Sequence, residues 1–194
     1  EYAAATEGKD VVTFGRREEG VLPWTLLRGL DAASNGEPFF RREHFCPVVG
    51  WLELSASDSL DFLRTATEFL NERLWGTLNA GLVVPASEMR SATVSDEVED
   101  ALHRLRYGTV ALNHWPALGY AWGSPPWGGA PGAPLADAQS GLGWVHNAHM
   151  LEGAEKTIIR GPMPCWPKPI WFNDHRGATD AARNLMAYEG GGGW

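Results

Sequence analysis

Two groups of residues have types and spacings that can do chemistry. The first is Glu43 and Phe45, two positions apart and just ahead of the run Pro47-Val48-Val49. On extended backbone two such residues project the same way. A carboxylate accepts two hydrogen bonds from a ribose diol, and an aromatic ring beside it packs against a nicotinamide ring. Taken alone, Glu43 reads first as a solvated loop charge. The second group is Trp115, Tyr120, Trp122 and Trp127, in a loop that follows the apolar run Val110-Ala111-Leu112. In an open α/β sheet, ligands bind where loops leave the carboxyl ends of strands. These four aromatics can wall an apolar slot there, or they can simply cover the sheet.

Other chemistries find less support. A Ser-His-Asp hydrolase needs a G-x-S-x-G turn between strand and helix, and the nearest approach, Gln139-Ser140-Gly141, has no glycine at the required preceding place. His146 and His149 are three apart, with His114 upstream, yet no carboxylate or cysteine completes a metal-ligand spacing. Gly128-Gly129 with Gly132 has neither the dinucleotide nor the Walker spacing, and Gly190 to Gly193 follows a helical pattern rather than opening one.

The elements that must position these residues are read from periodicity. Glu1 to Asp10 has no apolar period and reads as a poorly ordered lead-in. Val11 to Phe14 and Val21 to Leu30 read as extended, and a strand is expected over roughly Val48 to Leu54. Ser55 to Ser57 offer cap hydroxyls to a helix that carries Leu60, Leu63, Thr67, Leu70 and Leu74 on one stripe and stops at Gly76. Ala80 to Val84 is the next strand. Ser95 is expected to cap a second helix with Val98, Ala101, Leu102 and Leu105 as its buried stripe, closed by Gly108. Val110 to Leu112 then forms a strand apolar on both faces. Two successive strand–helix–strand crossovers imply one parallel sheet with right-handed connections. Beyond Asn113 the chain turns irregular and rich in Trp, Pro and Gly. Thr157 to Arg160 is a last strand and Thr179 to Tyr188 a short helix. Gly161 to Trp171 is expected to wrap over the surface or another subunit, and Gly190 to Trp194 to form a flexible tail.

The fold class expected is therefore α/β, an open and mostly parallel sheet with flanking helices and a long irregular C-terminal part. The 194 residues suit one core. A formal net charge of −8 argues against nucleic acid and anionic membrane surfaces as partners. No apolar run is long enough to span a bilayer, and no basic stretch followed by an apolar core marks a signal peptide. Two cysteines far apart, Cys46 and Cys165, suggest neither a disulfide framework nor structural zinc. A reducing, cytoplasmic setting is the expectation.

Residues from about Val21 to Arg160 resemble the C-terminal part of the NAD(P)-dependent aldehyde dehydrogenase superfamily. Glu43-His44-Phe45-Cys46-Pro47-Val48 resembles its E-x-F-G-P-V motif, and Asn71 to Val84, with Trp75-Gly76, resembles the segment that follows. Gly108-Thr109-Val110-Ala111-Leu112-Asn113 is similar to its G-x-V-x-V-N strand. Pro126-Trp127-Gly128-Gly129 is similar to P-F-G-G, Ser140-Gly141-Leu142-Gly143 to the later S-G-x-G, and Glu155-Lys156-Thr157 to a lysine-led strand near the family's end. The chain departs from the pattern at Cys46, where the family has glycine, at Arg42, where it often has glutamate, and in an expanded stretch between Gly129 and Ser140.

The resemblance implies an aldehyde dehydrogenase catalytic-domain-like fold over residues 21–160, with residues 1–20 as lead-in and 161–194 as a surface-wrapping tail. It implies that Glu43 holds the ribose next to the nicotinamide and that Phe45 lies near that ring. Trp127 then replaces a pocket phenylalanine, and Trp115, Tyr120 and Trp122 line the mouth of an aldehyde tunnel. In the family a cysteine thiolate attacks the aldehyde, hydride passes to NAD(P)+, and the thioester is hydrolysed. That cysteine lies well upstream of the glutamate motif, whereas none of the 42 residues before Glu43 is a cysteine. The expectation is a piece of such an enzyme, inactive alone and binding NAD or NADP weakly if at all. Its partners are the remainder of a parent polypeptide, an aldehyde, and further copies in a homo-oligomer. The alternative is a non-catalytic assembly module that keeps the scaffold.

Overall fold

A computed structural model describes residues 2–162, 168–169, 172 and 174–191. The chain divides into two compact units, Glu1–Gly161 and Pro162–Trp194. In the first, helix α1 (Tyr2–Thr6) precedes strands β1 (Asp10–Phe14), β2 (Trp24–Arg28) and β3 (Val48–Gly50), which form one three-stranded sheet. The lead-in is thus helical. It is tied down where the Tyr2 hydroxyl meets Thr25 Oγ1 at 2.7 Å. β1 runs antiparallel to β2, with Phe14 opposite Trp24, and β3 runs parallel to β2, with Thr25 opposite Val48.

Helix α2 (Ser59–Arg73) leads to β4 (Asn79–Leu82), and α3 (Ala92–Arg104) to β5 (Thr109–Leu112). After a short helix, α4 (Leu118–Ala121), come β6 (Trp127–Gly128), β7 (Trp144–His146) and β8 (Thr157–Arg160). β4, β5 and β8 form a second, fully parallel sheet with β5 at its centre, and β6 pairs with β7 in a two-stranded ribbon. The molecule is mixed α/β with a small parallel sheet. One expected crossover, β4–α3–β5, builds that sheet. The other does not, because β3 spends its three residues pairing with β2 instead.

The core sits between the parallel sheet and the two long helices. Val98, Leu102 and Val110 are wholly buried, with Val94, Leu105 and Tyr107 around them, and Leu60, Leu63 and Leu70 of α2 pack against this cluster. The leucine stripe of α2 therefore faces inward, as its period of 3.6 requires. Asp58, rather than a serine, caps α2 by accepting from the Asp61 N–H at 2.9 Å. α3 begins one turn earlier than its acidic residues suggest, after Ser91. Glu97 is thus mid-helix, where it receives the Arg64 guanidinium of α2 at 2.5 Å. The far end of α3 is finished by Lys156, whose Nζ donates to His103 O at 2.6 Å and Leu105 O at 2.5 Å. A cation at the negative end of a helix satisfies carbonyls that have no partner within it.

In the second unit α5 (Ala178–Glu189) has no buried residue, and Lys168 pairs with Asp174 at 2.5 Å. Most of the expected Gly161–Trp171 wrap, including Cys165, and the last residues of the glycine tail lie outside the described residues. Among the described residues no helix is long and apolar enough to cross a membrane.

Candidate functional site

The glycines of three motifs explain how the site is assembled. A Cβ on Gly108 would stand 1.9 Å from Gly128 O, and one on Gly128 would stand 2.1 Å from Gly143 O. Three backbone segments, widely separated in sequence, are stacked closer than any side chain permits. Gly108 is therefore required by this approach, not as a helix stop; α3 ends four residues before it. Thr77 O joins the layer by accepting from both the Gly108 N–H at 2.9 Å and the Ala130 N–H at 3.0 Å.

The loop after Gly129 is then clasped to the turn after α2. Gln139 Oε1 accepts from the Gly76 N–H and Ser140 Oγ from the Thr77 N–H, both at 2.7 Å. Gln139 holds a left-handed φ of 49° to do this, a conformation that costs a non-glycine residue free energy and persists where the surroundings impose it.

This clasp closes one wall of a cavity of about 360 Å³, lined by Glu43, Trp75, Gly76, Asn79, Tyr107 and Ser140 among others. Glu43 makes no hydrogen bond or ion pair among the described residues, and the same holds for the Asn79 side chain. Ser140, accepting from Thr77, keeps its own proton to donate. Carboxylate, carboxamide and hydroxyl together suit a ligand rich in hydroxyl groups, and Trp75 supplies an aromatic surface. Nothing in the type or spacing of Asn79 and Tyr107 marks them as cavity residues, although Tyr107 precedes the glycine on which the layer is built.

The other expected site residues are distributed differently. Phe45 is 82% exposed and does not line the cavity with Glu43. Trp127 is buried, at 8% exposure, and Tyr120 meets it edge-on with ring centroids 5.8 Å apart. Trp122 and Trp115 are exposed, at 58% and 44%. Of the four aromatics the structure thus joins Tyr120 to Trp127, the first exposed and the second buried. His146, opposite Trp127 across the ribbon, lies 5.8 Å from the Tyr120 ring and has both ring nitrogens buried without partners among the described residues. His114, His146 and His149 form no cluster; among the described residues no three His, Cys, Asp or Glu side chains gather as a metal site.

Compared with protein-family models, with curated proteins and with solved structures, the chain matches none.

Proposed function

We propose that these residues are the C-terminal portion of the catalytic domain of an NAD(P)-dependent enzyme that oxidises apolar aldehydes. The observation that carries this reading is the convergence at one cavity of segments that resemble the aldehyde dehydrogenase motifs. Glu43, Trp75-Gly76, Tyr107-Gly108 and Ser140 come from four stretches spread over about half the chain, and all line or frame one space. In this reading Glu43 and Ser140 hold the ribose hydroxyls of the nicotinamide half of NAD or NADP. Tyr120, Trp115 and Trp122 guide the aldehyde, and Trp127 backs them as the inner wall. The nucleophilic cysteine comes from outside residues 1–194.

The test is aldehyde-dependent reduction of NAD(P)+ by the protein as its native cells make it, compared with its Glu43→Gln variant. Hydrogen bonds to a charged group are worth about 1.5–3 kcal/mol, so the variant is expected to lose roughly 10- to 150-fold in kcat/KM. An unchanged rate in a folded variant contradicts the role of Glu43.

A second reading, an assembly module, is supported by the first sheet. The strand register puts Phe14, Trp24, Leu26 and Val49 on one face, and Phe14, Trp24 and Val49 are 59%, 72% and 60% exposed. Contiguous exposed apolar surface of this kind marks interfaces. The cytoplasmic setting and the homo-oligomer belong to these proposals.

A further inference from the structure

The turn leaving β4 borders a second cavity, independent of the cofactor reading. It measures about 430 Å³, and its floor is apolar: Leu54, Phe62, Leu63, Val83, Val84 and Val94. Phe62 is 48% exposed and Val83 70%. One wall is fixed from behind by Asn113. Its backbone is left-handed, with φ 55°, and its carboxamide brackets Val84, accepting from the Val84 N–H at 2.8 Å and donating to Val84 O at 3.0 Å. A wall already held in place needs no ordering when something binds it.

The rim carries Asp58 and Glu88. Asp58 caps α2 through Oδ1, and Glu88 Oε2 accepts from Ser59 Oγ at 3.3 Å, which leaves the second oxygen of each carboxylate without a hydrogen bond among the described residues. Neither forms an ion pair among the described residues. Arg64, which sits on the same helix, commits its guanidinium to Glu97.

We propose that this groove docks a segment of a partner protein in which a large apolar side chain stands beside a lysine or arginine. The occupant follows from charge complementarity. The floor takes the apolar group, two unpaired carboxylates at the edge take the adjacent cation, and a flanking acid would be repelled. The chain's net charge of −8 draws basic partners toward it.

Panning a random-peptide display library on the full 194-residue chain tests this. The expected enriched sequences pair a large apolar residue with Lys or Arg. A synthetic peptide of that consensus should perturb the amide resonances of Phe62, Leu63 and Val83. Its affinity should fall at least tenfold in the Asp58→Asn, Glu88→Gln double variant and again with raised salt. Asn replaces Asp as an N-cap without loss, so the double variant keeps its fold, which its thermal transition will verify. Three results overturn the proposal: no enrichment, a consensus without a cation, or a peptide that binds the double variant equally well. Self-association abolished by Phe62→Ser would also overturn it, by making the occupant a second copy.

Discussion

Glu43 stands at a cavity as a carboxylate with no hydrogen-bond or ion-pair partner among the described residues. It shares that cavity with Ser140 and Asn79. Gln in its place keeps the volume and removes the charge, which is why Glu43→Gln discriminates between ligand binding and packing. Glu37 is the contrasting carboxylate. Burial pushes its carboxyl up, but the hydrogen bond from Lys9 at 2.6 Å, the Phe39 N–H and the Lys9 charge hold it below the ordinary carboxylate range. A lowered folded-state pKa means that the unfolded chain binds the proton more readily. The pair's contribution is thus complete above about pH 5 and is lost as pH falls through the lowered folded-state value. Lys9→Met should cost about 1–3 kcal/mol at neutral pH. It should also flatten the acid limb of a urea-denaturation series between about pH 5 and 3, the range set by carboxylate titration. A parallel acid limb in the variant would assign the loss to other carboxylates. Glu43 was legible in the sequence as a candidate ligand group, from its residue type and its distance from Phe45. Its separation from Phe45, which points into solvent, was not legible, because side-chain direction in a loop is set by contacts and not by spacing.

At the scale of elements, what repeats was legible and what depends on distant pairing was not. The leucines of α2 and the Val98–Leu102 stripe of α3 recur at helical spacing; the α3 stripe is buried and the α2 leucines pack, partly buried, against it, as that spacing demands. β5 is an apolar run and is buried along its whole length. By contrast β6 and β7 have two and three residues and exist only because Trp127 meets His146 across a long loop. The expected place of β3 in the parallel sheet fails for the same reason: three residues do not announce their partner. The helix boundaries slipped because Asp96 and Glu97 suggest a first turn, whereas Glu97 serves the Arg64 pairing in mid-helix. Gly108 is the clearest case of a motif whose type was visible and whose cause was not. Gly108→Ala places a carbon 1.9 Å from a backbone oxygen, and backbone has no rotamer with which to yield. Overpacking of this kind costs about 1–3 kcal/mol or more, which is a fall in Tm of roughly 2–10 °C for a chain of this size. Differential scanning calorimetry reads it directly. A Tm within a degree of the parent would mean that the layer is loose, and that the cavity wall built on it is not fixed by these glycines.

At the scale of the molecule, the two readings part over the apolar face of the first sheet. If that face is an interface between copies, sedimentation of the 194-residue chain should show reversible self-association that Trp24→Ser weakens about tenfold or more. A chain that remains monomeric at high concentration leaves the assembly reading without its supporting surface. The central claim is enzymatic, however, and its most direct measurement is steady-state NAD(P)H formation from a medium-chain apolar aldehyde. The comparison is between the protein purified as its native cells make it and the same protein carrying Glu43→Gln. The account predicts aldehyde-dependent turnover that falls roughly 10- to 150-fold in the variant, the equivalent of about 1.5–3 kcal/mol, with Tm unchanged. A folded, homogeneous protein with no turnover on any aldehyde, or one whose turnover ignores Glu43, would contradict it.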